Sequence, residues 1–301
     1  MASLPLFNLM VLGGSIIRPS WWVVRHEKMR PEVLNYGLPY SAPYWSNVDW
    51  GEIRLDPTFV SYADEITVNI GDFAYQVKYV GKPAPTTNDS YMWIPNRRVL
   101  ISGDLMFSGG TPFMLTGSVR GAISVLEERI KPLGAQIIIT GHGPISGSAL
   151  INYTLGYLRY VQDIAERGRA GELTPLQAAR EFGAGPYADL LDVERLVGNL
   201  HRAYAEQAGI PQGAPINVLA ALSDMVTFNG GKPSDASFDG TPTRRAVPCE
   251  HRQVDSMRAV QRAPGAPDDG DSQIRPVQLR DPVTTMRSVF VYVRYEPHVE
   301  R

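Results

Sequence analysis

Cysteine is almost absent from this chain. Cys249 is the single one in 301 residues, which excludes an internal disulfide and any cysteine-rich zinc knuckle. A reducing cytoplasm is compatible with that usage and is the expected location. Histidine is scarce as well. His26, His142, His201, His251 and His298 are the five, and no two are near each other in sequence. Neither sign of charge dominates. The net charge is −2, so there is no electrostatic case for nucleic acid or an anionic membrane surface, and neither is expected as a partner. Long hydrophobic runs are missing too. Residues 4–17 are mostly apolar but are broken by Pro5, Asn8, Gly13 and Gly14; they are too short to span a bilayer. No basic stretch precedes them, as a secretory signal would require. Lysine is absent from residues 233–301.

Enough apolar sequence remains to build a core. Apolar residues make up 44% and charged residues 20%, which fits one large domain or two small ones and argues against global disorder. Residues 66–70 and 73–80 read as strands joined at Gly71-Asp72, a hairpin signal. In the second, Phe73, Tyr75, Val77 and Tyr79 alternate with Ala74, Gln76 and Lys78. Residues 21–24 read as a strand, and residues 26–35 as a short helix with His26 on its surface. Residues 36–50 form an aromatic loop. Residues 118–131 predict a helix with Val119, Ile123, Leu126 and Ile130 on one stripe. Residues 150–167, 174–182, 190–208 and 216–228 predict four more helices, the second with Thr174 as N-cap and Pro175 at its first position. Residues 233–301 lose apolar periodicity until residue 288. They read either as a disordered extension or as a shifted reading frame of a GC-rich gene.

Chemistry concentrates in residues 89–104, DSYMWIPNRRVLISGD. Residues 91–94 and 99–101 read as strands around a Pro95-Asn96 turn, and the second stops at Ser102-Gly103-Asp104. Residues 137–140, IIIT, repeat the pattern and end in Gly141-His142-Gly143. Two short buried strands would thus each deliver one metal-capable side chain, Asp104 and His142, at a strand end where sites of layered α/β folds gather. The glycines around His142 let the backbone turn sharply. Asp89 reads either as a turn residue or as a group orienting a ligand. Trp45, Trp50, Trp93, Phe107 and Phe113 are core aromatics or the walls of a flat aromatic pocket.

The string GDLMFSGGTPF, a helix, and then ITGHGP resembles the second half of a metallo-β-lactamase-fold domain. The longer run from GKPAPTTND to ITGHGPISG is similar to the second-ring cyclases of aromatic polyketide clusters, the actinorhodin type, labelled in places polyketide dimerases or dehydrases. The similarity runs from about residue 23 to about residue 233. It implies an α/β fold, an αββα metallo-β-lactamase-like sandwich with a partial N-terminal half and a C-terminal helical extension. The chain would divide into an atypical segment 1–22, a core 23–147, an extension 148–232 and the tail 233–301. The implied activity is metal-dependent aldol cyclisation and dehydration of an aromatic polyketide intermediate in antibiotic or pigment biosynthesis. That substrate would be presented by an acyl carrier protein, and a homodimer is compatible with it. Zinc is the implied cofactor, two ions in intact relatives, with Asp104 as bridging carboxylate and His142 as terminal ligand.

The chain departs from that pattern in two ligand-bearing stretches and in its tail. The family's HxHxDH string occurs nowhere in it, and Pro85 stands in PAPTTND where a metal-binding histidine is expected. Two ligands do not make a tight zinc site, since catalytic sites take three protein ligands and structural sites four. Two rival readings follow: a generic hydrolase or thioesterase of the same fold, and a metal-free relative without catalysis.

Overall fold

A computed structural model describes residues 24–31 and 60–231 of the chain. The expected segment 1–22, the aromatic loop with Trp45 and Trp50, and the tail 233–301 lie outside the described residues. Strand β1 (Val24–His26) pairs in parallel with β2 (Val60–Tyr62). This pairing corrects the expectation for His26. Drawn into a strand beside Tyr62, it is 3% exposed rather than on a helix surface. Its ring stacks on Tyr79 with centroids 4.0 Å apart, and its Nε2 lies 2.7 Å from the Ala63 carbonyl.

The main sheet has five strands in sequence order, β3 (Glu65–Ile70), β4 (Phe73–Tyr79), β5 (Ser90–Ile94), β6 (Val99–Phe107) and β7 (Ile137–His142). The first three pairings are antiparallel, and β6 with β7 is parallel. Gly71 adopts φ +56° in the β3–β4 turn, so Ile70 comes opposite Phe73. Both faces of β4 are half-buried, so its alternating aromatics do not divide into a wet and a dry side.

The β6–β7 crossover carries helix α1 (Val119–Val125), capped by the Ser118 hydroxyl, which accepts from Gly121 N at 2.8 Å. The expected single helix is instead three pieces. A π turn (Leu126–Ile130) and a 3-10 turn (Lys131–Leu133) follow α1, and Pro132 supplies no N–H for continuing the α ladder. Val119, Leu126 and Ile130 are buried; Ile123 is only partly so.

Four helices complete the fold: α2 (Ala149–Ala170), α3 (Pro175–Phe182), α4 (Arg195–Gln207) and α5 (Val218–Phe228). Helix α3 starts with a full capping box between Thr174 and Gln177. Helix α4 begins five residues later than its apolar pattern suggests. Leu191 is held in a bridge to Gly110, and Asp192 adopts φ +55°, which ends any helical run through it. One hydrophobic core joins sheet and helices, from Leu100 and Ile138 through Leu126 and Leu158 to Leu200 and Met225. The class is the expected mixed α/β. Among the described residues β1 and β2 form a separate two-stranded sheet. No helix among the described residues is long and apolar enough to cross a membrane.

The inner face of α4 is polar. Arg195, Asn199, Arg202 and Glu206 recur every three or four residues on one side, and all four are buried. They take up the polar backbone of the strap between β6 and α1. Asn199 accepts from Met114 N at 2.7 Å and donates to the Pro112 carbonyl and the Tyr157 hydroxyl, both at 2.8 Å. Arg202 donates twice to the Leu115 carbonyl. Glu206 accepts from Val119 N and Arg120 N, capping α1 from outside it. A strap without secondary structure is buried here with several of its backbone groups partnered by this one helix.

Candidate functional site

Asp104 stands inside β6 rather than beyond its end. The strand runs on to Phe107 because Gly103, at φ +52°, accommodates an irregularity. Between the pairs Gly103–Thr140 and Phe107–His142, β6 advances four residues while β7 advances two. Such a bulge frees the extra residues from the ladder and re-aims their side chains. His142 is the last residue of β7. The two side chains meet across the parallel strands, with His142 Nε2 3.5 Å from Asp104 Oδ1.

The flanking glycines are required by contact as much as by turn geometry. A Cβ on Gly141 would lie 2.1 Å from Asp104 Oδ1, and one on Gly143 would lie 1.7 Å from the Ser108 carbonyl oxygen. Gly143 also has φ +86°. The backbone of His142 is held from two sides, its carbonyl accepting from Ser108 N at 2.9 Å and from the Thr140 hydroxyl at 2.6 Å. The Ser108 and Ser146 hydroxyls share a 2.7 Å bond just beyond. The imidazole lies against Phe107, ring centroids 4.3 Å apart.

Burial dominates the electrostatics. It raises the Asp104 carboxyl to about 7; the negative charge of Asp89 adds to the rise, and the Arg195 guanidinium partly offsets it. Burial, then the Arg195 charge, lowers His142 to about 4. From about pH 4 to about pH 7 the pair is therefore neutral on both sides. At 3.5 Å it makes no hydrogen bond, and His142 Nε2 is buried without a partner. An unpartnered buried nitrogen beside a protonated carboxyl is an unusual arrangement.

The other expected residues are distributed around this pair. Asp89 accepts from Thr86 N at 2.6 Å, a turn contact, and it acts on Asp104 through its charge. Trp93 and Phe113 are buried in the core, and Phe107 is buried against His142. His201 pairs with Asp224 at 2.8 Å, joining α4 to α5. Pro85 is buried in its loop, where its carbonyl accepts from the Thr116 hydroxyl at 3.2 Å, and its side chain offers no donor atom to a metal. Among the described residues no three metal-ligating side chains come together. Among the described residues Asp104 and His142 are a set of two, and two ligands alone do not fit a tightly held zinc ion. Arg195 was not singled out by the sequence; its signal was the polar stripe of α4, which a helix usually turns to solvent.

No family model matches the chain, and no curated protein matches it. Solved structures give partial likenesses. A metallo-β-lactamase family protein from Thermus thermophilus is 13% identical, with 62% of this chain and 67% of that one covered at a TM-score of 0.44. The metallo-β-lactamase TMB-1 is 16% identical over 46% of this chain and 56% of its own, with a TM-score of 0.36. A metallo-β-lactamase from Pontibacter korlensis is 18% identical over 46% and 69%, with a TM-score of 0.33. The chain spans little more than half the length of TMB-1.

Proposed function

We propose that the protein is a cyclase that closes a ring in an aromatic polyketide intermediate, by aldol addition and loss of water, with Asp104 and His142 as the reacting pair. The intermediate would arrive on an acyl carrier protein. The resemblance of the longer run from GKPAPTTND to ITGHGPISG supports the substrate class. The observation that carries the chemistry is the close contact of a half-buried carboxyl and a neutral imidazole whose Nε2 is unengaged.

Aldol closure removes a proton from the carbon beside one carbonyl and delivers a proton to the oxygen of the other. Dehydration then removes that oxygen as water. A carboxyl titrating at about 7 exchanges a proton in both directions near neutral pH. In this reading the Asp104 carboxylate takes the carbon-bound proton. His142, as the Nε2–H tautomer, donates a hydrogen bond to the oxygen on which negative charge develops. Protonated Asp104 gives that proton to the oxygen, which becomes the hydroxyl; in the dehydration Asp104 takes the second proton of the same carbon and returns it to the hydroxyl, which leaves as water. The two donors found among the described residues do not by themselves make a tight zinc site.

The test offers the purified protein a poly-β-ketone mimic and, separately, a small acyl thioester. Ring formation that falls at least about a hundredfold in Asp104→Asn and in His142→Ala is the expected result. Thioester hydrolysis without ring formation would replace the cyclase by a hydrolase of the same pair. A second reading, a partner-binding relative without catalysis, is favoured by Pro85 and the two-donor set. It predicts capture by a polyketide synthase and an unchanged product yield in Asp104→Ala.

A further inference from the structure

Helix α4 contributes a charged side chain that the proton steps above do not use. Arg195, its first residue, is 4% exposed. A buried guanidinium is expensive and stays only where its surroundings hold it. Arg195 Nη1 donates to the Thr111 carbonyl at 3.1 Å, and Nη2 pairs with Asp192 Oδ2 at 2.7 Å. Its guanidinium carbon lies 5.3 Å from the Phe107 ring centroid and 6.0 Å from that of Phe113. Phe107 in turn contacts the His142 imidazole at 4.3 Å. The strap that carries Thr111 is tied to the same segment of the extension: Thr111 N donates to the Leu191 carbonyl at 2.9 Å, and Leu191 N to the Gly109 carbonyl at 3.0 Å.

We infer that Arg195 is a positioning residue for the Asp104–His142 pair, holding the Phe107 ring against the imidazole while Asp192 and the Thr111 carbonyl hold Arg195. One ring is thus shared by a cation and an imidazole. Displacing the cation leaves Phe107 free to turn, and the imidazole loses the surface that sets its plane. A purely architectural side chain at this place would more economically be apolar. The guanidinium leaves Nε without a partner, and Thr111 Oγ1 beside it is also buried and unpartnered, so hydrogen bonding alone does not account for an arginine here. Its charge also reaches both members of the pair, favouring the carboxylate form of Asp104 and disfavouring a charged His142.

The test reads the ring protons of His142 by NMR, assigned through their loss in His142→Gln. His201, paired with Asp224 between α4 and α5, serves as an internal control for global disturbance. Arg195→Gln is expected to move the His142 signals, through the altered ring current of Phe107, while those of His201 stay in place. Arg195→Lys, which keeps a cation over Phe107, is expected to restore part of the wild-type position. Asp192→Asn keeps a residue type that tolerates φ +55° and is expected to move the same signals by less; it decides the matter if Arg195→Gln does not fold. Unmoved His142 signals in a folded Arg195→Gln, or in Asp192→Asn where it alone folds, would overturn the inference. The kinetic consequence rests on the cyclase reading: kcat should fall about tenfold to a hundredfold with little change in KM. Signals that move in a protein with no ring-closing activity would retain the positioning role and sink the cyclase.

Discussion

Asp104 and His142 pull the pH dependence of stability in opposite directions. Asp104 has its carboxyl raised to about 7 in the folded chain, against about 3.9 when unfolded. The folded state holds that proton more tightly. The stabilisation is complete below about pH 4 and is lost as pH rises to about 7. His142 is lowered to about 4, against about 6.5 when unfolded. Its contribution is present above about pH 6.5 and is lost as pH falls to about 4. The wild-type profile between these limits should therefore be nearly flat. Asp104→Asn removes only the first component. Its urea midpoint should rise relative to wild type from pH 4 to pH 8, by an amount on the order of a few kcal/mol at the alkaline end. A constant difference across that range would show that Asp104 is not the group responsible. At the same scale Gly143→Ala combines a positive φ with a Cβ 1.7 Å from a backbone oxygen. A loss of more than about 3 kcal/mol in urea unfolding is expected.

Helix α4 shows what one element can do through its inner face. Asn199 satisfies Met114 N, the Pro112 carbonyl and the Tyr157 hydroxyl at once. Asn199→Leu keeps the volume but strands three buried groups, at about 1–3 kcal/mol each before relaxation. The variant should be among the most destabilised on this helix in thermal unfolding. A loss under about 1 kcal/mol would mean that the strap relaxes to water. Helix α3 was fully legible in sequence, because Thr174, Pro175 and Gln177 act on their own helix terminus. Helix α4 was legible in type and roughly in length. Its start was not, because Leu191 is committed to Gly110, a contact from far along the chain.

Over the whole molecule, the helical residues after 148 are part of the same core as the sheet. Leu155, Leu158, Val161, Leu196 and Leu200 pack with Leu100, Leu126 and Ile138 in one cluster. They also supply the polar partners of the strap that lies beside the site. A chain ending at residue 147 would expose that apolar surface and leave the strap's buried carbonyls unmet. It is expected to be aggregated or to lack dispersed NMR signals. A soluble fragment with a cooperative melt would show instead that sheet and α1 hold together alone. Arg195 depends on the same arrangement, since it reaches Phe107 only when α4 is docked.

The sequence by itself determined the local pieces: the Gly71-Asp72 hairpin, the presence of strands carrying Asp104 and His142, and the Thr174 cap of α3. Each follows from residues within a few positions of one another, where turn chemistry, β-branched runs and capping side chains act directly. The tertiary structure alone decided that β6 runs past Asp104 through a bulge at Gly103, that His26 is buried, and that the polar stripe of α4 faces inward. Each of these depends on which surfaces meet, and the same polar pattern on an unpacked helix would simply be its wet side. The unengaged Nε2 of His142 belongs to this second group, because it follows from how Phe107 and Asp104 are brought against the imidazole across two strands.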